Sequence, residues 1–521
     1  MNTYKIPFET AGLYGKMFLD YLNGTEALKS LYQFEPNLAS FDKIIDLRKS
    51  FPKEKRTLIV ESLKNQYSAI ENAPIAQIEA LEDENTFTIV TGHQLNIFTG
   101  PLFFIYKIAA TIHLTQQLKE KYPDCNFIPV YWMATEDHDF EEIASFKLSG
   151  KKYTWEHPEA TGPVGRLSLE GIDKILDQIK DMPQFFVDAY TDNMTLTEAT
   201  RSYVHHLFSK YGLVCFDADQ AELKSSFKEI LIKELFDNTA VVEVEKANAI
   251  IESAGYKTQI HARAINLFYM EDKVRLRLEK TPTGFRAVDG DLKWTNQEMM
   301  DIVENNPERL SPNVVLRPVL QEFLLPNLAY LGGPAEVIYW LQLKGVFDAY
   351  NVFYPMVLPR GFSLFLDTKF SAKWRKMGWP LEELLQPITV IENKLLDEKE
   401  ELVTSLEAEI LQFDSLYASI LDKGKAITPN LEKHVLAEKL RGEKRLKHTA
   451  AKLRKEGKRK MKEDIERVVC IRECLLPSNV PQERVENLLT FWSKSKGNLL
   501  LDTFVKELDP LAFKLNIVVE D

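Results

Sequence analysis

His93 and Gln94 stand where an apolar run, FTIV (87–90), gives way to a glycine-bearing stretch, TGHQLNIFTGP (91–101). At such a place a neutral imidazole or an amide can hydrogen-bond phosphate oxygens. A protonated histidine can offset charge that grows on a transferred phosphoryl group. Gly92 and Gly100 would let backbone N–H groups approach an anion, Thr99 can face it, and Pro101 suits a first helical turn. A second apolar run, FIPVYWMAT (127–135), ends in EDHDFEE (136–142). Carboxylates there can bind Mg2+, take a proton from a nucleophile or hold an ammonium group. Successive residues cannot all face one way, so Asp137 and His138 are the expected catalytic pair and Glu136 a substrate contact. The alternative for the acids is helix capping.

These two stretches need elements to bring them together. Strand, loop, helix to about residue 122 and strand make a βαβ unit, whose connection is almost always right-handed. The loop is neither GxGxxG nor a Walker A. The same grammar returns after Ser311: a turn at SPN, a helix with Arg317 and Gln321 four apart, a strand at 328–331, and Gly332-Gly333-Pro334 opening another helix. Arg317 and Gln321 can form a fork for an anionic group, with Asn313 beside them. Glu336 belongs to the second glycine loop, and Arg360, ending FYPMVLPR (353–360), is a candidate phosphate contact. Two halves of a parallel sheet, separated by about 150 residues, imply a domain inserted into a doubly wound α/β core.

The domain reading is therefore a mostly helical part of the core at 1–85, the first half of a Rossmann-like core at 86–145, and an inserted connective domain at 146–310. The second half of the core follows at 311–385, then a coiled-coil hairpin at 386–475 and a C-terminal tail on the core at 476–521. In the hairpin Leu395, Lys399, Leu402, Leu406, Ile410, Phe413, Tyr417 and Ile420 recur at steps of four and three, a coiled-coil seam with one stutter. Residues 391–426 hold nine acids against four bases; after a break at Gly424 and Pro429, residues 431–464 hold thirteen bases against six acids. The second seam, Leu446, Ala450, Leu453, Gly457, Met461 and Ile465, is weaker. Opposed charges suit an antiparallel helical hairpin, which either pairs its own arms or also dimerises the protein.

At 521 residues with net charge −12, the chain is a multidomain protein and no general nucleic-acid binder. Its four cysteines, Cys125, Cys215, Cys470 and Cys474, contain no CxxC and fit a reducing compartment; no zinc site is expected. The N-terminus has no signal-peptide pattern, and no apolar run approaches the ~20 residues of a membrane span. A cytoplasmic protein is expected.

The blocks TGHQLNIFTGP, YWMATEDHDFEE, NLFY, SPNVVLRPVLQEFLLPNLAYLGGPAEVIYW, MVLPR and CLLPSNVPQER resemble the BshC family, the cysteine ligases of bacillithiol biosynthesis. They run in order from about residue 86 to 484. The resemblance implies a core similar to class I aminoacyl-tRNA synthetases with connective insertions, and a C-terminal coiled coil through which members form homodimers. It also implies a reaction that joins the carboxylate of cysteine to the amine of glucosaminyl-malate, with ATP activating the carboxylate; Mg2+ is the ion that the carboxylates after the second strand could add. On that reading Gly92, Thr99, Gly100, Gly332, Gly333 and Arg360 hold phosphates, His93 and Gln94 stabilise developing charge, and Asp137 or Glu136 holds the cysteine ammonium. Arg317 meets a malate carboxylate.

The chain departs from the family pattern, TGQQ in many members, by reading TGHQ. It has one histidine and one glycine where class I synthetases carry HIGH, no KMSKS, and no thiolate set for zinc. Thiol recognition would then rest on a small pocket lined by Trp132 or Phe98. Two other functions fit the same residues: a nucleotide-responsive interaction protein acting through its coiled coil, and a nucleotidyltransferase on another small acid.

Overall fold

The computed structural model describes residues 1–398, 405–492 and 497–520. The chain divides into two compact units: residues 3–364 with 481–518, and residues 365–480 with the two ends of the chain.

The larger unit is built on five parallel strands. In chain order these are β1 (Thr86–His93), β2 (Asn126–Met133), β3 (Val214–Asp217), β4 (Asn327–Gly332) and β5 (Met356–Pro359). Their spatial order is β5-β4-β1-β2-β3. Both faces of the sheet are covered, so its strands are continuous apolar and β-branched runs rather than alternating ones. Within β1 only His93 is more than marginally exposed. Helix α1 (Phe103–Lys121) makes the crossover from β1 to β2 and is buried along most of its length. From β1 the chain winds outward to β2 and β3, then returns across to β4 and β5. The winding therefore reverses between β1 and β4, and open α/β sheets bind ligands at the carboxyl ends of the strands at such a switch point.

Registers place those ends together: His93 lies opposite Met133, Met133 opposite Asp217, Leu331 opposite Thr91, and Gly332 opposite Pro359. One reading of the sequence changes here. Strand β1 continues through Thr91, Gly92 and His93, so Gly92 is a strand residue and no turn glycine.

The inserted segment carries an antiparallel five-stranded sheet, ordered Lys293–Thr295, Gly284–Ala287, Val274–Thr281, Leu267–Glu271 and Leu310–Pro312. Alternation in KVRLRLE puts Arg275 and Arg277 on one face of its central strand. The last strand turns directly into helix α2 (Arg317–Leu324), so the insert and the second half of the core meet at Asn313. Asn2–Pro7, Lys514–Val519 and Phe362–Leu366 form a three-stranded sheet, with Lys514–Val519 in the middle.

The smaller unit is helical. Its main feature is a hairpin of α4 (Glu407–Ile427) and α5 (Leu431–Lys460), with α3 (Pro334–Leu341) preceding them in the core. The arms are antiparallel: Lys439 of α5 pairs with Asp414 of α4 at 2.8 Å, and further along α5 Arg454 pairs with Asp397 at 3.2 Å and Lys458 with Glu392 at 2.7 Å, both on the acidic helix Ile388–Glu398 that precedes α4. The acidic and basic arms thus neutralise each other within one chain. Gly442 allows the close crossing, because a Cβ there would lie 2.2 Å from Cζ of Phe413. Gly424 does not break α4; it is buried against Leu431 and Val435, and the turn comes at residues 428–430. Of the expected seam, Ile410, Phe413 and Tyr417 are half-buried, while Leu453 is exposed and Ile420 lies at the exposed edge. Lys399 and Leu402 lie outside the described residues.

Candidate active site

A cavity of about 710 Å³ opens at the switch point. Gly92, His93 and Gln94 from the end of β1, Trp132 to His138 after β2, and Glu336 from α3 form its core side. Arg275, Arg277, Asn313 and Arg317 form the side of the insert and α2. Its size falls in the range of small-molecule sites.

Asp137 is a carboxylate of this cavity anchored from two sides. Gln94 Nε2 donates to its Oδ2 at 2.7 Å and to Glu142 Oε2 at 2.8 Å, and the His138 backbone N–H donates to its Oδ1 at 2.8 Å. Burial alone would raise its pKa, but the bonds from His138 and Gln94 and the nearby Arg275 hold it well below the usual carboxylate range. Gln94 therefore orients carboxylates. Arg275 Nη1 donates to His138 Nδ1 at 2.8 Å. The other Arg275 nitrogens hold Ser311 Oγ and the Pro312 carbonyl, which makes Arg275 a brace between insert and core. Glu136 is tied to Lys224 at 2.7 Å and to the Ser311 hydroxyl at 2.5 Å.

His93 lines the cavity with its ring against Phe103 and Phe104, and its Nε2 is buried without a partner among the described residues. Burial, with Lys107 and Arg360 nearby, drives its pKa well down. The charge-offsetting role of a protonated histidine is therefore overturned; what it offers is a neutral ring nitrogen. Lys107, only 1% exposed, reaches up from α1 to the Gly92 carbonyl at 2.7 Å and Glu336 Oε1 at 2.6 Å. Tyr330 donates to the other Glu336 oxygen at 3.0 Å.

The expected phosphate loops are corrected. Thr99 and Gly100 do not line the cavity. They sit in a turn of positive φ (70° and 57°) whose backbone groups are largely taken, while the Thr99 hydroxyl is buried without a hydrogen-bond partner among the described residues. Asn487 Nδ2 donates to the Phe98 and Gly100 carbonyls at 2.7 and 2.6 Å, Tyr190 accepts the Phe98 N–H, and the Glu486 carbonyl accepts the Leu102 N–H. The Phe98, Gly100 and Leu102 N–H groups, which an anion site would need, are thus consumed. Gly332 and Gly333 lie behind Glu336, whose carboxylate would come within 3.0 Å of a Cβ on Gly332; a negative charge already occupies that helix start. Arg360 is 2% exposed and forked onto Glu483, 3.0 Å from Nη1 to Oε2, so it is no free phosphate contact. Gln321 is fully buried and touches Arg317 rather than the cavity; Asn313 lines it, but spends its Oδ1 capping Val315 and Leu316. Trp132 stacks near Phe216 and lines the cavity, whereas Phe98 is buried among Phe146, Phe186 and Tyr190. For Mg2+ the fit is poor: Glu136, Asp137, Glu142 and Glu336 are each already engaged by a cation or an N–H or O–H donor.

Comparison with known proteins decides the family. Residues 1–361 match the N-terminal Rossmann-like domain of bacillithiol biosynthesis BshC, and residues 363–520 match its C-terminal coiled-coil domain. The chain belongs to the BshC family. A protein of Cytophaga hutchinsonii named "Putative cysteine ligase BshC" is 39% identical over 98% of both chains. One of Flavobacterium johnsoniae with the same name is 38% identical over 99% of this chain and 100% of its own, and one of Chlorobaculum tepidum is 27% identical over the whole of both.

In this BshC-family chain, sequence reasoning missed Lys107, Arg275, Arg277, Tyr330 and Tyr339. Lys107 had a signal, a lone cation inside FFIYKIAATIHL, where burial demands a partner. The arginines had a fainter one, their two-residue spacing on a strand. The tyrosines had none. The four cysteines do not line the cavity: Cys125 and Cys215 are buried, Cys470 is exposed and Cys474 half-exposed. Among the described residues no helix is long and apolar enough to cross a membrane.

Proposed function

We propose that the protein is a ligase that joins the carboxylate of L-cysteine to the amine of glucosaminyl-malate, forming bacillithiol, with ATP activating the carboxylate. The observation that carries this reading is one cavity, at the switch point of a BshC-family core, whose lining includes an ionised carboxylate, Asp137, and the guanidinium of Arg317. Such a site can hold two small charged molecules side by side and gains rate chiefly by orienting them.

Asp137, kept ionised by Gln94 and His138, holds the cysteine ammonium; Glu136 is committed to Lys224 and is the weaker candidate. Arg317 meets a carboxylate of the malate, and His93 presents a neutral nitrogen to a polar group of the substrate. The phosphates of ATP are met by cavity cations and not by the glycine turns. Arg263 and Arg277 line the cavity and are partly exposed. Trp132 gives the thiol an apolar wall, which separates cysteine from serine by no more than a few kcal/mol. The protein acts in the cytoplasm as a homodimer held by the α4–α5 hairpin.

Purified protein is incubated with ATP, cysteine and glucosaminyl-malate, and product is measured by mass spectrometry. Bacillithiol that requires all three components supports the proposal. Product formed without ATP removes the activation step, and no product with a verified fold and all three present removes the ligase assignment.

A further inference from the structure

Gln321 and Glu322 are neighbours in α2, and both are almost wholly buried, at 0% and 1% exposure. Glu322 Oε1 accepts from Gln321 Nε2 at 2.8 Å and from Asn327 Nδ2 at 2.7 Å. A carboxylate can only accept, so it dictates which way the Gln321 amide points: NH2 toward Glu322, carbonyl away. That carbonyl accepts from Arg317 Nη1 at 3.0 Å. The polarity of the chain from Glu322 to Gln321 to Arg317 follows from donor and acceptor chemistry, independent of how an amide is drawn. A protonated Glu322 keeps it, because a carboxylic acid still offers its carbonyl oxygen. The charged group facing Glu322 from the neighbouring N-terminal helix is Arg48, which donates to the Leu325 carbonyl at 2.5 Å.

Arg317 itself lines the cavity with Tyr330 and Tyr339 beside it and Glu336 nearby. A guanidinium on a long flexible stem facing a cavity of this size would sample several rotamers, and ordering it on binding costs free energy. The buried amide removes that freedom in advance. Apolar residues would fill the space behind Arg317 more cheaply than a buried glutamate, whose desolvation is costly without a directional purpose.

We propose that Gln321 and Glu322 are positioning residues, a buried relay that holds Arg317 in the orientation in which it meets a substrate carboxylate. The proposal rests on the role given to Arg317 above and adds the device that sets it.

The test uses the full-length protein and L-malate as probe, with binding measured by calorimetry beside melting temperatures. R317M weakens malate binding at least tenfold. Q321M, close in size but without an acceptor for Arg317, weakens it about five- to tenfold at a nearly unchanged melting temperature. E322Q, which keeps an acceptor, stays within about twofold, and R317M/Q321M is no weaker than R317M alone. A crystal structure of Q321M, which needs no ligand, shows Arg317 in a new rotamer. If R317M loses malate while Q321M binds it like the parent, or if Arg317 is unmoved in Q321M, the relay is wrong and the role of Arg317 stands. If the parent does not bind malate, or R317M binds it unchanged, the role of Arg317 falls and the relay with it.

Discussion

His93 and Glu322 show how far a side chain's environment departs from its reputation. The His93 ring is driven neutral by burial and by Lys107 and Arg360, so what it can offer a substrate is one hydrogen bond. A glutamine can make a similar bond from the same strand end. H93Q should retain bacillithiol formation within about fivefold, while H93A should lose roughly tenfold or more, the value of one unmade bond in a buried site; initial rates checked by mass spectrometry decide it. Glu322 provides a pH signature. Burial pushes its carboxyl up from 4.5 to about 7, against the pull of Arg48 and the bonds from Asn327 and Gln321. A raised folded-state value means that the neutral form is favoured in the fold. The stability it confers is complete below about pH 4.5 and is lost as pH rises through about 7. Unfolding titrations of the parent should show an extra loss across that window, on the order of 3 kcal/mol, that E322Q lacks. Parallel curves for the two proteins would show that Glu322 does not titrate there.

At the scale of elements, the register of β1, β2 and β4 does most of the work. It aligns the strand ends at one edge, and the reversal between β1 and β4 opens the crevice. The turn after β1 shows the opposite lesson: a sequence with the glycine and proline of an anion loop is filled by Asn487, some 390 residues later in the chain. The Arg360–Glu483 pair belongs to the same C-terminal return. Both groups are almost fully buried, so removing one leaves an unpaired charge inside the larger unit. R360M should lose about 3–5 kcal/mol of stability in denaturant titration, and R360M/E483M should regain most of it. A fully stable R360M with only reduced nucleotide affinity would return Arg360 to the role of phosphate contact.

For the whole molecule, the open matter is what the helical hairpin does. Its acidic and basic arms pair with each other, which accounts for the charge segregation without a partner. Its apolar residues are not all used: Leu411, Leu416 and Leu440 are 68%, 57% and 64% exposed. Exposed leucines on a hairpin fit association with a second copy, since large apolar side chains left in water lose the free energy that burial would give. Light scattering should give a dimer for the full chain, and a monomer once residues 405–460 are replaced by a short linker or Leu411 and Leu440 are changed to glutamate. A dimer that survives both changes places the interface elsewhere.

The sequence by itself determined the class of fold, the location of the cleft and the hairpin. Each of these is written in local periodicity and in apolar runs bounded by turns, which act over a few residues. It also singled out Asp137, Trp132, Arg317 and Glu336, because strand ends and helix starts of a parallel sheet converge whatever fills the space between. Only the tertiary structure decided which of the polar residues remain available. Gly100 and Arg360 have the chemistry of ligand contacts, but partners far along the chain satisfy them first, and Thr99 is buried away from the cavity. Lys107 and Arg275, unremarkable in the sequence, become part of the site because packing brings them there. Whether a polar group is free depends on long-range pairing and burial, and neither is legible in the spacing of neighbouring residues.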